Sequence, residues 1–240
     1  SKVTRDNNHK YKLGEHQFNK SVTELVSKNN NNFSNTPDSE IRKDGGTVIH
    51  EMAARIINAK TTGKNYDDVR NYAKTKPLGF TIDNKIVDSI ILGVENFISS
   101  VEAKQAAINT MNKTTDKVTW VVEQPIIDPL RDIAGTPDLI AIYSDGTFDI
   151  VDFKTFEGKE AIKGLKLDKY DAQVTEYKKM LKSPQYGFEQ GNGIVLPINL
   201  KYTYNKNNPE GQKLSRNMKL AEMSADQATS PDYLKYIPVA

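Results

Sequence analysis

Two β-strand segments joined by a tight turn limit most strongly what this chain can fold into. Residues 138–143 and 148–154 are rich in isoleucine, valine and aromatic side chains, and Ser144-Asp145-Gly146 separates them. Two such segments with turn residues between them are typical of a β-hairpin. Side chains on both faces of the hairpin are largely apolar, so we expect it to belong to a sheet that is covered on both sides.

The length of the turn decides whether two aspartates in these strands face each other. A two-residue loop at 145–146 would place Asp138 and Asp152 on opposite faces of the hairpin. A three-residue loop at 144–146, with Gly146 in the left-handed conformation, places Asp138 directly opposite Asp152. We predict the three-residue loop. One face then carries Asp138, Ile140, Ile142, Phe148, Ile150, Asp152 and Lys154, and the other carries Leu139, Ala141, Tyr143, Asp149, Val151 and Phe153.

Two carboxylates and an amine on one face predict a metal site. Carboxylates a few Å apart repel each other, and a divalent cation between them removes that repulsion. Oxygen ligands suit Mg²⁺ or Mn²⁺, and such an ion polarises a phosphodiester and lowers the pKa of a bound water. Lys154 is placed to position that water, to take its proton or to steady the phosphate. A surface ion pair at a strand end is the alternative that the spacing leaves open.

Hydrophobic spacing predicts the elements around this hairpin. We expect one helix to begin after Gly45-Gly46, two more to cover about 83–111 and 167–181, and further strands at 118–122 and 194–204. Pro197 within the last strand predicts a sheet edge or a bulge there. Apolar residues recur at helical spacing in the helix at 83–111, at Ile86, Val87, Ile90, Ile91, Val94, Phe97, Ile98 and Val101.

The chain has 240 residues, a length that suits one large domain. We predict a single domain over 1–240, with a loop-rich segment at 1–45 and a poorly defined tail at 205–240. Within the first segment, only a short extended piece at about 18–23 is expected. Strands flanked by helices in this order favour an α/β sandwich with a mixed sheet.

Composition excludes several kinds of site. The chain contains no cysteine, which excludes disulfides, iron–sulfur clusters and thiolate zinc sites. The net charge of +2, from 33 basic and 31 acidic residues, is too balanced to indicate nucleic-acid binding by itself. No apolar run reaches the ~18 residues of a membrane span, and no signal peptide is recognised. We therefore expect a cytoplasmic protein that has no membrane partner.

The acidic hairpin resembles the active-site strands of the PD-(D/E)XK nuclease superfamily, and in particular those of its RecB-like exonuclease branch. Gly135 to Asp138 resembles the first acidic element in its GxxD form, and Asp152-Phe153-Lys154 resembles the D-x-K element. The resemblance implies a restriction-endonuclease-like α/β/α sandwich with a central mixed β-sheet flanked by helices. It also implies a metal held by Asp138, Asp152 and the backbone carbonyl of Phe153, with Lys154 acting on the water.

Two further residues extend the implied set of metal ligands. The segment from Gly46 to Glu51 resembles the helical histidine motif of RecB-like enzymes, in which His50 would be an additional ligand. Glu51 points elsewhere on the helix and is a weaker candidate. Glu123 stands before the GxxD element at a distance where many relatives have a glutamate, and it is a further candidate ligand.

Gln173 and Tyr177 lie at positions i and i+4, so one face of a helix carries both. They resemble the Q-x-x-x-Y signature of RecB-like nucleases, which supports the active site and the DNA. The segment at 9–23 resembles the opening of some phage-type members, so the resemblance extends in order to about Leu181. The absence of cysteine excludes the subgroup that holds an iron–sulfur cluster.

Together these motifs imply a Mg²⁺- or Mn²⁺-dependent nuclease that hydrolyses DNA phosphodiester bonds without a covalent intermediate. An exonuclease of DNA processing or recombination is favoured, because the histidine and Q-x-x-x-Y elements belong to that branch. The alternatives are an endonuclease, including an RNA-cutting one of the cap-snatching type, and a noncatalytic nucleic-acid-binding domain on the same fold. Expected partners are single-stranded DNA or a duplex end, and a helicase or another replication or recombination protein. For a phage-encoded chain, the expected location is the host cytoplasm or the virion.

Overall fold

Helices and strands follow one another along the residues that the computed structural model describes, which are 2–27, 37–75, 82, 84–156, 165–203 and 219–223. The strands are β1 (Val3–Arg5), β2 (Tyr11–Leu13), β3 (His16–Gln17), β4 (Lys20–Ser21), β5 (Thr119–Val122), β6 (Ile126–Asp128), β7 (Ile133–Gly135), β8 (Leu139–Ile142), β9 (Phe148–Phe156), β10 (Gly191–Thr203) and β11 (Lys219–Met223). The helices are α1 (Val22–Val26), α2 (Pro37–Thr61), α3 (Asp67–Thr75), α4 (Asn84–Asn112) and α5 (Leu165–Leu181). The chain is a mixed α/β protein, as its sequence predicts.

The largest sheet contains five of these strands, in the order β11-β10-β9-β8-β5. Strands β9 and β10 run parallel, whereas the other neighbouring pairs run antiparallel, so the sheet is mixed. Strands β5, β8, β9 and β10 correspond to the strands expected from alternation of apolar residues.

The predicted three-residue loop is confirmed. Tyr143 N–H donates to the Thr147 carbonyl at 2.9 Å, and Gly146 N–H donates to the Tyr143 carbonyl at 3.0 Å. Gly146 has a φ of 84°, the left-handed conformation that this loop requires. The register therefore pairs Leu139 with Val151. One step further along the hairpin, the same register places Asp138 opposite Asp152.

Apolar side chains cover both faces of the sheet, in two separate clusters. Leu139 and Val151 on one face pack against α2, α3 and α4. Ile140 and Ile150 on the other face pack against α5, with Val22 of α1 beside them. This division follows the alternation of side chains along β8 and β9, because successive residues of a strand point to opposite faces. The assignment of side chains to faces made from the sequence is confirmed.

The N-terminal segment is more structured than predicted. Strands β1, β2 and β3 form a small antiparallel meander, and β4 pairs with β7 in a second small sheet. The extended piece expected at 18–23 is wrong beyond Ser21, because helix α1 begins at Val22. Ser21 caps this helix: its hydroxyl accepts from Glu24 N–H at 3.1 Å, and the Glu24 carboxylate accepts from Ser21 N–H at 3.4 Å. Residues 28–36 of this segment lie outside the described residues.

Helix α2 also begins earlier than predicted, at Pro37, so Gly45 and Gly46 lie inside it. Burial outweighs the low helix propensity of these glycines. Gly45 is buried, and a Cβ atom at Gly46 would lie 3.2 Å from the Thr155 hydroxyl of β9. The glycine pair therefore allows α2 to approach the sheet closely. Helix α4 is confirmed within one residue at each end, and its whole predicted apolar stripe is buried.

The C-terminal part of the sheet is formed by β10 and β11. Pro197 lies where β10 pairs with β9, whereas the pairing with β11 within the described part of the chain begins at Leu200. Strand β10 lies between β9 and β11, and the register shift in its pairing with β11 lies at 201–202, four residues after the proline. The tail predicted to be poorly defined contains strand β11, while 204–218 and 224–240 lie outside the described residues. None of the described helices is long and apolar enough to cross a membrane.

Substitution of Gly146 tests whether the turn determines the register. No atom lies within 4 Å of a Cβ built there, so a side chain meets no clash and only the left-handed backbone opposes it. We expect Gly146→Val to lower the free energy of unfolding by about 1–2 kcal/mol and Gly146→Asn to lower it by roughly half as much, because asparagine tolerates this conformation. Denaturant titration measures both values. Equal losses for the two variants would contradict the proposed role of the left-handed turn.

Candidate active site

Asp138 and Asp152 lie close together, on neighbouring strands. Asp138 precedes β8 directly, and Asp152 lies within β9 at the position that the observed register places opposite it. The Asp138 Oδ2 atom accepts from Phe153 N–H at 2.7 Å, and the Asp152 carboxyl group is a direct neighbour of the Asp138 carboxyl group. Both predicted acidic residues therefore meet on one face of the hairpin.

Burial and the neighbouring Asp152 carboxylate raise the pKa of Asp138 well above its usual value. The side chain of Asp152 is only 5% exposed. Its Oδ2 atom accepts no hydrogen bond from the described residues, although Lys154 Nζ lies 3.1 Å away as an ion-pair partner. A buried carboxylate oxygen with unused acceptor capacity, next to a second acidic group, is a position at which a cation lowers the energy.

His50 of α2 reaches the same pair of carboxyl groups. Its Nδ1 atom lies 3.6 Å from Asp138 Oδ1, and its ring is hydrogen-bonded to the backbone carbonyl of Phe153. Burial lowers the pKa of His50, while the charge of Asp152 acts in the opposite direction. A histidine that stays neutral keeps a nitrogen lone pair for a metal ion. His50, the two aspartates and the Phe153 carbonyl, which are the four expected metal ligands, are thus brought together.

Three groups surround the amine of Lys154. Its Nζ atom lies 3.1 Å from Asp152 Oδ2, donates to Gln173 Oε1 at 3.2 Å and lies 4.6 Å from the centre of the Tyr170 ring. Burial opposes the charge on the lysine, but the carboxylates of Asp152 and Asp138 raise its pKa. The lysine is therefore held as a cation, with its amine directed toward the acidic pair.

Hydrogen bonds connect Gln173 to the segment between β7 and β8, which precedes Asp138. Its side-chain nitrogen donates to the Tyr177 hydroxyl at 3.5 Å, and this hydroxyl donates to the Thr136 carbonyl at 3.3 Å. The Tyr177 ring packs so closely on Gly135 that a Cβ atom there would lie 2.7 Å from Cε1 of the ring. A side chain in place of the glycine in the GxxD element would therefore displace Tyr177. Gln173 and Tyr177 support Lys154 from the helix side.

Glu123 lies beside the site rather than within the cluster of carboxyl groups. Its backbone N–H donates to the Asp138 carbonyl at 3.1 Å, and its φ of 47° turns the chain sharply after β5. Burial and the nearby Glu51 raise the pKa of Glu123. Glu51 lies 3.6 Å from Arg55, on the same helix. Glu123 remains a candidate ligand from a neighbouring position.

Sequence reasoning missed two residues that contact this constellation. Tyr170 lies three residues before Gln173 and seven before Tyr177, so the helical period already placed all three on one face of α5. Thr136 links the site to the N-terminal meander, because its hydroxyl shares a hydrogen bond of 2.8 Å with Tyr11. The spacing of Tyr170 was a detectable signal, whereas the contact with Tyr11 spans 125 positions of the chain and left no signal in the sequence.

The donor chemistry of the site suits a hard divalent cation, since carboxylate and carbonyl oxygens with one imidazole are typical ligands of Mg²⁺ and Mn²⁺. Across the described ranges, no three His, Asp or Glu side chains are already spaced to hold an ion. The side chains of Asp138 and His50 are instead hydrogen-bonded to the backbone of Phe153: Asp138 accepts from its amide, and the His50 ring bonds its carbonyl. The arrangement can therefore place an acidic pair, an imidazole and an ammonium group around one small volume.

Comparison with known proteins finds no family model that matches this chain and no matching curated protein.

Replacement of Asp138 by asparagine tests whether the acidic pair destabilises the metal-free protein. The unfolded chain titrates Asp138 near 3.8, and the folded protein raises its pKa. The contribution of this group to stability is thus present below pH 3.8 and is lost as the pH rises through the raised pKa. In chelator at neutral pH, we expect Asp138→Asn to raise stability by about 1–2 kcal/mol, or roughly 2–8 °C in Tm. The difference should widen with increasing pH.

Asp149→Asn is a matched control, because Asp149 is a buried carboxylate in the neighbouring strand β9 and is paired with a cation. It accepts from Lys104 at 3.0 Å and from Tyr143 at 2.6 Å, so its loss should lower Tm. Added Mn²⁺ should raise the Tm of the wild type and leave that of Asp138→Asn almost unchanged. Destabilisation by Asp138→Asn at neutral pH in chelator would show that the pair is not under repulsion.

Proposed function

We propose that this chain is a metal-dependent nuclease that hydrolyses DNA phosphodiester bonds, on a restriction-endonuclease-like α/β/α arrangement. The observation that supports the proposal most directly is the meeting of two buried carboxyl groups, an imidazole and a lysine amine at the end of one hairpin. The buried Asp152 Oδ2 atom has Lys154 as its ion-pair partner and no further hydrogen bond among the described residues, so a lone pair remains for a metal ion.

The residues of the site fit a Mg²⁺ or Mn²⁺ ion. Asp138, Asp152, His50 and the Phe153 carbonyl would hold it, and the buried Asp152 Oδ2 atom, which faces Lys154 at 3.1 Å, would be one of the ligand atoms. Bound there, such an ion supplies Lewis acidity to a phosphodiester and lowers the pKa of a water. The neutral imidazole of His50 favours Mn²⁺ more than an all-oxygen site would.

Lys154 is the residue that acts on the nucleophile in this proposal. Its amine is directed at the acidic pair and is held there by Gln173 and by the ring of Tyr170. From that position it orients a water for in-line attack and stabilises negative charge on the phosphate as the charge develops. Attack by water leaves no covalent intermediate on the protein, because no nucleophilic side chain of the chain takes part.

An exonuclease is the more specific form of the proposal. The helical His50 and the Gln173–Tyr177 pair are the two features that resemble the RecB-like branch, and both lie at the acidic pair. The alternatives of an endonuclease and of a noncatalytic nucleic-acid binder share this site or this fold, so assays must separate the three.

Lys154→Ala should lower the rate of DNA cleavage by at least about 100-fold, because the amine that positions the water is removed. Lys179→Ala is the matched control: this lysine is exposed on the same helix as Gln173, and its loss should change the rate less than twofold. A nuclease assay on end-labelled DNA with Mn²⁺ measures both rates, and circular dichroism checks the fold. Cleavage by Lys154→Ala at the wild-type rate would refute the proposed site.

The topology of the substrate separates exonuclease from endonuclease. We expect the protein to degrade linear single-stranded DNA and to leave a covalently closed circle of the same sequence intact, because an exonuclease needs an end. Linear RNA of the same sequence, assayed in parallel, shows whether the sugar matters. Nicking of the circle would identify an endonuclease, and Mn²⁺ binding by calorimetry without cleavage of any strand would favour the noncatalytic alternative.

A further inference from the structure

The N-terminal meander lies directly beside the proposed active site. Tyr11 in β2 is buried, and its hydroxyl bonds the Thr136 hydroxyl at 2.8 Å, two residues before Asp138. The Thr136 carbonyl in turn accepts from Tyr177 at 3.3 Å. The meander is therefore attached to the segment that carries the acidic pair, although it contributes no group to the acidic pair itself.

Arg5 is the cation that the meander presents on this side. Strands β1 and β2 pair Arg5 directly with Tyr11, so both side chains lie on the same face of the meander. The Arg5 guanidinium lies 5.7 Å from the centre of the Tyr11 ring and also contacts the His9 ring. Arg5 is exposed, and no carboxylate lies within ion-pair distance of it among the described residues. The Tyr11 ring thus lies beside an exposed guanidinium whose charge acts on Glu123, next to the site.

The opposite face of the same strands carries a different cation. Lys12 pairs with Thr4, so its side chain points away from Tyr11 and from the body of the protein. Lys12 is exposed, like Arg5. The two residues therefore differ mainly in the face on which they lie. Replacing each in turn removes one positive charge in both cases, so any difference between the variants reports the position of the charge.

A polyanionic substrate needs a cation at this position. The acidic side chains nearest to the site, which include Asp138, Asp152 and Glu123, repel the phosphates that flank the scissile bond. Lys154 is already engaged with Asp152. A guanidinium binds a phosphate with two parallel hydrogen bonds, which makes arginine the residue best suited to hold a strand in position.

We propose that the meander forms one wall of the substrate path and that Arg5 binds a backbone phosphate next to the scissile one. This inference rests on the proposed nuclease function and assigns the ligand as a nucleic-acid strand, held through its backbone without sequence preference. Tyr11 acts as the support of the guanidinium, and its bond to Thr136 sets the distance between this cation and the acidic pair.

A simpler role for Arg5 is to offset the charge of Glu123, since its charge lowers the pKa of that residue. The two roles give different results in a double variant. When Arg5 only neutralises Glu123, removal of both charges restores nucleic-acid binding to the wild-type level. When Arg5 binds a phosphate, the double variant still lacks one contact.

The experiment measures binding of fluorescently labelled single-stranded DNA by anisotropy over a series of KCl concentrations. Every protein carries Lys154→Ala, so that the strand is not consumed. We expect Arg5→Gln to weaken binding by about five- to tenfold and to reduce the slope of log K against log salt by about 0.7, the value of one phosphate contact on a single strand. Lys12→Gln should weaken binding less than twofold.

Equal effects of Arg5→Gln and Lys12→Gln would overturn the inference, because only total charge would then matter. Full recovery in Arg5→Gln/Glu123→Gln would overturn it as well. The nuclease proposal is tested separately, by cleavage with the intact Lys154: a protein that cuts DNA while Arg5→Gln binds normally refutes the inference alone. A protein that binds through Arg5 but never cleaves refutes the nuclease proposal alone.

Discussion

The approach of two carboxyl groups on neighbouring strands is the interaction on which the rest of the site depends. The left-handed Gly146 sets the hairpin register, and that register places Asp138 against Asp152. A shift of one residue would send the two groups to opposite faces of the sheet. Burial then makes the mutual repulsion of the two carboxylates strong. His50 and Lys154 each contact one member of this pair.

Separate parts of the chain hold the cationic and polar groups around that pair. A continuous set of hydrogen bonds runs from Lys154 through Gln173 and Tyr177 to Thr136, and from Thr136 to Tyr11. The set joins β9, α5, the segment before β8 and the N-terminal meander. Because each of these elements is also buried in an apolar cluster, the polar groups are positioned by packing as well as by their own bonds.

Stability and chemistry conflict at this site. The hairpin buries one carboxylate oxygen without a hydrogen bond and raises the pKa of Asp138, whereas a fold selected for stability alone would place apolar groups there. Asp149, which lies in β9 like Asp152, is stabilised by hydrogen bonds that its carboxylate accepts from Lys104 and Tyr143. Two buried aspartates in β9 thus have different surroundings: Asp149 bonds Lys104 and Tyr143, whereas Asp152 faces Lys154 and a second carboxyl group.

Local patterns in the sequence determined the hairpin with its register, helix α4 and the shared face of Gln173 and Tyr177, because each depends on residues close together in the chain. The start of α2 at Pro37, strand β11 and the contact of Tyr11 with Thr136 were decided by the tertiary structure. Packing of α2 against the sheet outweighs the low helix propensity of its glycines, and β11 exists through its pairing with β10. Long-range packing energies of this kind leave no periodic signal in a single sequence.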